Sequence, residues 1–361
     1  MDMCSGLGVP LGLVLLFLCV FYGLFVFVAL TNIALMRRAR PGLAGDWNPA
    51  ICIPARNEAK NLPDLLGPLR DQGAKTFVFD DDSSDGTGEI ASSFGAQVIR
   101  SRTPLPEGWT GKNRACHELA KVVAEVHDGE WIVFLDADTK PGPTFLKSLG
   151  HAVIQARTSV ATGMPKIIPG RGFEPVYLGW VGWIIAATNP FGLVALTRKG
   201  HNRFMNGQIG VWRSSTYFEF LPHETMKGEV LEDVMIGRLM AAKNQPVAVL
   251  DVSEILSVAM YEDYKSALDG MSKNTCFIAG NDFGTILIGL FLLFTAWAWV
   301  LAWPAVFLLL LSKAIVDSRA KFPIWTLPLM PMTLTMGAYT CLRSVVWKRQ
   351  GKIVWKGRTY S

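Results

Sequence analysis

Apolar residues gather at the two ends of this chain, and between them short apolar runs alternate with polar turns and amphipathic stretches. Residues 9–36 hold no charged side chain, a run long enough to cross a bilayer once. Asp2 stands near the start without Lys or Arg, and Arg37, Arg38 and Arg40 follow the run, the reverse of the order in a cleaved signal peptide. It therefore reads as a retained anchor, after which the positive-inside rule puts the chain in the cytoplasm. At the other end, 283–311 and 322–347 are apolar again and are expected to be two C-terminal transmembrane helices, the first long and tilted, followed by a basic cytoplasmic tail over 348–361. Pro304 leaves a second arrangement open, a split of the first run into a third crossing that would move the C-terminus outside.

The middle has ordinary globular character. A linker over 41–49 leads into strand-like runs at 50–53, 76–79, 97–99 and 131–135, separated by helical patterns at 58–71, 85–93 and 113–126. Such alternation predicts an α/β fold with a βαβ-type sheet. An apolar stretch at 172–197 contains Trp180 and Trp183 but is interrupted by Glu174, Pro175, Asn189 and Pro190. It is expected to lie in or against the membrane interface, where indole rings are favoured, with a buried core helix as the plain alternative.

Composition adds little to this pattern. Half of the 361 residues are apolar and the net charge is +5. The basic clusters, Arg37, Arg38 and Arg40 and later Arg343, Lys348, Arg349, Lys352, Lys356 and Arg358, flank apolar segments, so anionic lipid headgroups are the simpler partner and nucleic acid is not expected. Six cysteines without CxxC or regular spacing argue against a disulfide framework or a zinc site and suit a reduced compartment. The five histidines, among them His117, His201 and His223, show no ligand spacing.

The chemistry is expected where strands end. Trp131 to Leu135 is followed by Asp136 and Asp138, which share a face of extended chain, and Pro141, Gly142 and Pro143 then stop the strand. Ligands of open α/β sheets sit at such carboxyl ends, and two close carboxylates are relieved by a divalent metal carrying a phosphate. A solvated acidic turn is the simpler reading of this motif alone. A second strand ends in Asp80, Asp81 and Asp82, where mutual repulsion predicts that at least one carboxylate binds a base or ribose, and Ser84 or Asp85 is placed to cap the next helix. A third strand runs into Pro54-Ala55-Arg56-Asn57-Glu58. Glu232 and Asp233 open a helix, where acids also suit the helix dipole.

In their order, PARNE, DDDSSDGT, FLDADT and EDV resemble the family 2 glycosyltransferases of GT-A fold, over roughly residues 47–275. Glu107 to Cys116 (EGWTGKNRAC), the segment 261–274 and the tail WKGRTY are similar to membrane-bound members that act on carotenoids and hopanoids; the QxxRW motif of processive synthases is absent. The resemblance implies that Asp81, with Asp80, Ala55, Arg56 and Glu58, holds the uracil and ribose of a nucleotide sugar. It implies that Asp138 coordinates Mg²⁺ or Mn²⁺, that Asp136 contacts the ribose or the shell around the metal, and that Asp233, supported by Glu232, is the general base of an inverting transfer. Lys112 and Lys273 are expected at the diphosphate, with a helix start and a lipid-headgroup contact as their plainer roles. The implied reaction is transfer of one sugar, most simply UDP-linked, to a hydroxyl or carboxyl of a membrane lipid such as a carotenoid or other isoprenoid. The alternatives are a polyprenyl-phosphate, sphingoid or hopanoid acceptor, and a non-catalytic membrane binding module.

Overall fold

In the run Ala50 to Ile53 every side chain is buried, and the residues alternate between two cores. Ile51 and Ile53 join Leu62, Leu65, Val78, Val133 and Leu149 on one face of a sheet; Ala50 and Cys52 join Phe77, Leu119, Phe134, Trp212 and Met240 on the other. A strand covered on both faces needs this uninterrupted apolar run. The structure, a computed structural model, describes residues 10–41, 47–101, 103–197 and 202–352, with the backbone of 354–355 and 358–359. Cys4, His201, part of the expected linker at 41–49 and most of the basic tail lie outside the described residues.

The chain divides into two units. One, formed by 36–167 and 194–259, carries a seven-stranded sheet. Its strands are β1 (Ala50–Ala55), β2 (Lys75–Asp80), β3 (Gln97–Arg100), β4 (Trp131–Leu135), β6 (Val160–Met164), β8 (Ile209–Arg213) and β9 (Ala248–Asp251), in the order β3-β2-β1-β4-β8-β6-β9. The half β3-β2-β1-β4 is parallel throughout, as the βαβ reading predicts. Beyond it β8 inserts antiparallel between β4 and β6. That insertion places Gly207 and Gln208, just before β8, beside the carboxyl end of β4, where the Asp136 N–H donates to the Gln208 carbonyl at 3.2 Å. A small sheet of β5 (Thr139–Pro141), β7 (Lys166–Ile167) and β10 (Leu256–Val258) continues the chain after the acidic motif.

Helix boundaries differ in instructive ways. The helix expected over 58–71 begins only at Leu62, because Glu58 and Ala59 are held by bonds to the next loop. The helix after β2 is capped by neither Ser84 nor Asp85 in the N-cap position: Gly86 stands there with φ +85°, and Asp85 instead accepts from the Thr87 N–H at 3.1 Å. The helix Gly111–Val126 starts two residues earlier than its apolar pattern, at the point where the Thr110 hydroxyl accepts from the Asn113 N–H.

The other unit, 10–35 with 168–193 and 260–352 among the described residues, is helical. Three stretches, Leu11–Leu35, Glu174–Thr197 and Asp282–Leu301, are long and apolar enough to cross a bilayer. In the segment expected at the interface, Glu174–Thr188 is a helix whose Trp180 and Trp183 are buried, with the Trp183 indole donating to the Ser312 hydroxyl at 2.9 Å. The run at 283–311, expected as one helix, is two. Asp282–Trp297 gives way to short 3₁₀ turns around Pro304, which has no N–H to continue the ladder, and a second helix runs from Val306 through Ala320. The last helix, Met330–Arg349, is diluted by Thr333, Thr335, Thr340 and Ser344 and is not among the three apolar stretches.

Candidate functional site

The nucleotide-side loops form by mutual stapling at the carboxyl ends of β1 and β2. Asp81 donates its N–H to the Ala55 carbonyl at 2.9 Å, and the Arg56 guanidinium returns to the Asp81 carbonyl at 2.6 Å and lies 3.7 Å from its carboxylate. Glu58 donates its N–H to the Thr87 hydroxyl at 2.8 Å, and Ala59 to the Asp85 carboxylate at 3.0 Å. Asn57 and Asp82 adopt φ +54° and +58°, a left-handed geometry that Asn and Asp tolerate. These bends resolve the repulsion among three consecutive aspartates. Asp80 is buried and accepts from the Ser83 N–H at 3.0 Å with Arg100 at 4.0 Å; Asp81 is buried against Arg56; Asp82 turns outward and is exposed. Gly88 allows this packing, since a Cβ there would come within 2.6 Å of the Asp80 carboxylate.

The other two acidic motifs meet on one lysine. Lys112, in the first turn of the helix Gly111–Val126, reaches Asp136 at 2.7 Å and Glu232 at 2.8 Å, and donates to the Gly207 carbonyl at 3.2 Å. The Gly207 N–H in turn donates to Asp233 at 2.8 Å, while the second Asp233 oxygen accepts from the Val234 N–H at the helix start. A strand end, a β-turn and two helix N-termini therefore converge on one ammonium. Around it lies a small pocket of about 30 Å³, lined on its polar side by Lys112, Asp136, Glu232 and Asp233 and on its inner side by Phe134 and Trp212.

Electrostatics follow from this burial. Burial works against the charge of Lys112, but Asp136 and Glu232 outweigh it and hold its pKa well above the ordinary lysine value. Burial raises the pKa of both Glu232 and Asp233, and Lys112 opposes the rise in each. At Asp138 the charge of Lys112 is outweighed. Burial, then the charges of Asp136 and Glu58, push its carboxyl up to about 7, and its Oδ1 has no hydrogen-bond partner.

That orphaned oxygen is what a divalent cation would engage, so Asp138 fits a metal ligand. Among the described residues no group of three or more His, Cys, Asp or Glu is arranged around one point, so the protein supplies an incomplete donor set. Such a set suits an ion whose remaining ligands come from a bound diphosphate and water.

Of the sequence-derived residues, Ala55, Arg56, Glu58, Asp80 and Asp81 lie in the stapled loops, and Lys112, Asp136, Glu232 and Asp233 share the cavity. Lys273 stands on the helix Tyr264–Ile278 of the other unit. Pattern reading missed Gly207, which carries no side chain to signal its backbone bond to Asp233, and His223, which lines the cavity. His223 is buried, shares a hydrogen bond with the Tyr217 hydroxyl at 2.9 Å, and has its pKa driven down to about 3 by burial and then by Lys112. It is a neutral wall residue. His117 packs against Trp109 at 5.4 Å.

Comparison with known sequences identifies this arrangement. Residues 50–208, which span β1 to the Gly207 turn, match the description Glycosyl transferase family 2. That stretch is similar to the family over 50–208, and the curated relatives of the chain are named as glycosyltransferases. The 4,4'-diaponeurosporenoate glycosyltransferase of Staphylococcus haemolyticus (strain JCSC1435) is 26% identical over 234 residues, covering 62% of this chain and 60% of the relative. The chain thus spans three fifths of that relative's length. The enzyme of the same name from Staphylococcus aureus (strain USA300) is 24% identical over 338 residues, covering 86% of this chain and 88% of the relative. Among solved structures, the mannosyltransferase PcManGT from Pyrobaculum calidifontis in complex with GDP-Man and Mn²⁺ superposes with a TM-score of 0.54 at 12% identity, over 94% of this chain and 99% of its own. The sheet-bearing unit has the GT-A fold.

Proposed function

We propose that this protein is a glycosyltransferase integral to the cell membrane, with its catalytic domain in the cytoplasm. It transfers one sugar from a UDP-linked donor to a hydroxyl or carboxyl of a membrane lipid, with inversion and with the help of Mg²⁺ or Mn²⁺. The observation that carries the reading is the convergence of Asp136, Glu232 and Asp233 on one cavity through Lys112, with the orphaned Asp138 beside Asp136.

In this reading the nucleoside sits over Ala55, Arg56, Glu58, Asp80 and Asp81. The buried aspartates have acceptor oxygens for a uracil N–H and ribose hydroxyls. Asp138 would hold the divalent ion, which neutralises the charge gathering on the departing diphosphate. Lys112 and Lys273 are the basic groups assigned to the phosphate end, Lys112 from within its cluster of carboxylates. Asp233 takes the proton from the acceptor. Its raised pKa makes it a stronger base than an exposed carboxylate, and the backbone N–H groups on both oxygens fix its direction. A single base facing the anomeric carbon from the side away from the diphosphate gives direct displacement and inversion.

The acceptor is a carotenoid or another isoprenoid. Relatives covering most of the chain are named for 4,4'-diaponeurosporenoate, a carotenoid acid, and three helical stretches apolar enough to cross a bilayer suit an acceptor that stays in the membrane. The test is mass spectrometry of lipids from a carotenoid-producing host that expresses the protein. A hexose increment on carotenoid acids or alcohols supports the reading; an increment only on polyprenyl phosphates, sphingoids or hopanoids replaces the acceptor, and unchanged lipids in the presence of folded protein refute it.

A further inference from the structure

Between the cavity and the bulk of the domain, the segment that leads into Glu232 is gripped by a single buried amide. The Asn113 Nδ2 donates to the carbonyls of Met226 at 2.8 Å, Glu229 at 3.1 Å and Lys227 at 3.4 Å. Asn113 is fully buried, one residue beyond Lys112. Three carbonyls around one group leave no choice of amide orientation, because only the NH₂ end can face them. The Thr110 N–H adds a bond to the Lys227 carbonyl at 2.7 Å, and a Cβ on Gly228 would lie 3.2 Å from the Gly108 carbonyl. The segment 226–231 has no helix or strand of its own; local turn bonds such as Glu229 N–H to the Met226 carbonyl shape it, and the bonds from Asn113 and Thr110 tie it to the helix Gly111–Val126. Glu232 and Asp233 begin at its end.

From this geometry we infer that Asn113 is a positioning residue for the Glu232–Asp233 pair. The first turn of the helix Gly111–Val126 acts as a bracket with two arms: Lys112 holds the Glu232 carboxylate, and Asn113 holds the backbone that leads into Glu232 and Asp233. Asn113 touches neither donor nor acceptor; it sets where the base stands. The inference rests on the reading of Asp233 as the base. A misplacement on the order of 1 Å at a reacting group lowers the rate by about a hundredfold while the binding of a substrate held elsewhere is untouched.

The experiment uses the full-length protein in detergent with UDP-glucose and 4,4'-diaponeurosporenoate, the acceptor in its relatives' names, as probes. For Asn113→Ala the expected result is a fall in kcat of roughly tenfold to a hundredfold, with the UDP-glucose KM and UDP affinity within about twofold of the parent. A second variant, Gly228→Ala, places a methyl group against the Gly108 carbonyl on an exposed loop and leaves the core intact; it is expected to lower kcat several-fold with the same unchanged UDP affinity. An unchanged kcat in both variants, or a fall matched by lost UDP affinity, overturns the inference, and Gly228→Ala decides the matter if Asn113→Ala does not fold. Asp233→Asn is run in parallel: if it retains transfer, the reading of the base has failed, whereas its inactivity beside fully active Asn113→Ala and Gly228→Ala removes only the role given to Asn113.

Discussion

The orphaned carboxylate of Asp138 makes the stability of the metal-free protein depend on pH in a calculable way. Its pKa lies at about 7 in the folded chain, raised by burial and then by Asp136 and Glu58, and an ordinary aspartate in the unfolded chain titrates near 3.8. At low pH both states carry the proton and nothing is lost. Between pH values of about 3.8 and 7 the unfolded chain ionises freely while the folded state holds its proton, and above about 7 the folded carboxylate is charged as well and the loss is complete. Moving a carboxyl from 3.8 to about 7 corresponds to about 4 kcal/mol of stability, lost between acid and mildly alkaline pH. Asp138→Asn keeps the shape and removes the titration, so its stability should fall less over that range. The assay is the thermal unfolding midpoint in detergent with EDTA, followed from pH 5 to pH 8 for both proteins. The parent is expected to lose more stability than Asp138→Asn, and Mn²⁺ with UDP at pH 8 is expected to restore the parent alone. Parallel pH profiles, or equal rescue of both proteins, would refute the assignment of Asp138 as the cation-seeking group.

Other outcomes follow from the same geometry. Asp233→Asn should abolish transfer yet bind UDP-glucose as the parent does, measured by calorimetry, because both backbone N–H groups that hold it belong to the protein and not to the donor. Lys112→Met leaves Asp136 and Glu232 without their shared cation and should destabilise the fold by about 3 kcal/mol or more in denaturant titration; adding Glu232→Gln, which removes one of the stranded charges, should recover part of that loss. Gly88→Ala drives a methyl group against the Asp80 carboxylate and should weaken UDP binding several-fold, an effect absent from Gly67→Ala, where the nearest atom lies at an ordinary 3.7 Å.

Much of the sheet-bearing unit was legible where one local rule decided the outcome. The parallel strands β1 to β4 announce themselves as apolar runs ending in polar residues, since a strand buried on both faces has no other option. The acidic ends of β2 and β4 and the start of the helix at Glu232 stood out because unpaired carboxylates are too costly to cluster without purpose. What stayed hidden depends on non-local contacts. The antiparallel insertion of β8 beside β4 is a pairing between residues far apart in sequence, and it brings Gly207 to Asp233 through a backbone N–H that no side-chain pattern records. From sequence Lys112 reads as a diphosphate contact or a helix start, and its ion pair with Glu232 at 2.8 Å exists only once the fold brings the two together. In the helical unit, Pro304 marked a break in the run at 283–311, but composition alone did not decide between one long tilted helix and a split into two.

The most direct measurement of the central claim, one site shared by a sugar nucleotide and a cation, is equilibrium binding of UDP-glucose to the purified protein with and without Mn²⁺. The account predicts one site that Mn²⁺ strengthens, that Asp81→Ala and Asp138→Ala each weaken severely, and that Asp233→Asn leaves intact. Binding that persists unchanged in both Asp81→Ala and Asp138→Ala would contradict it.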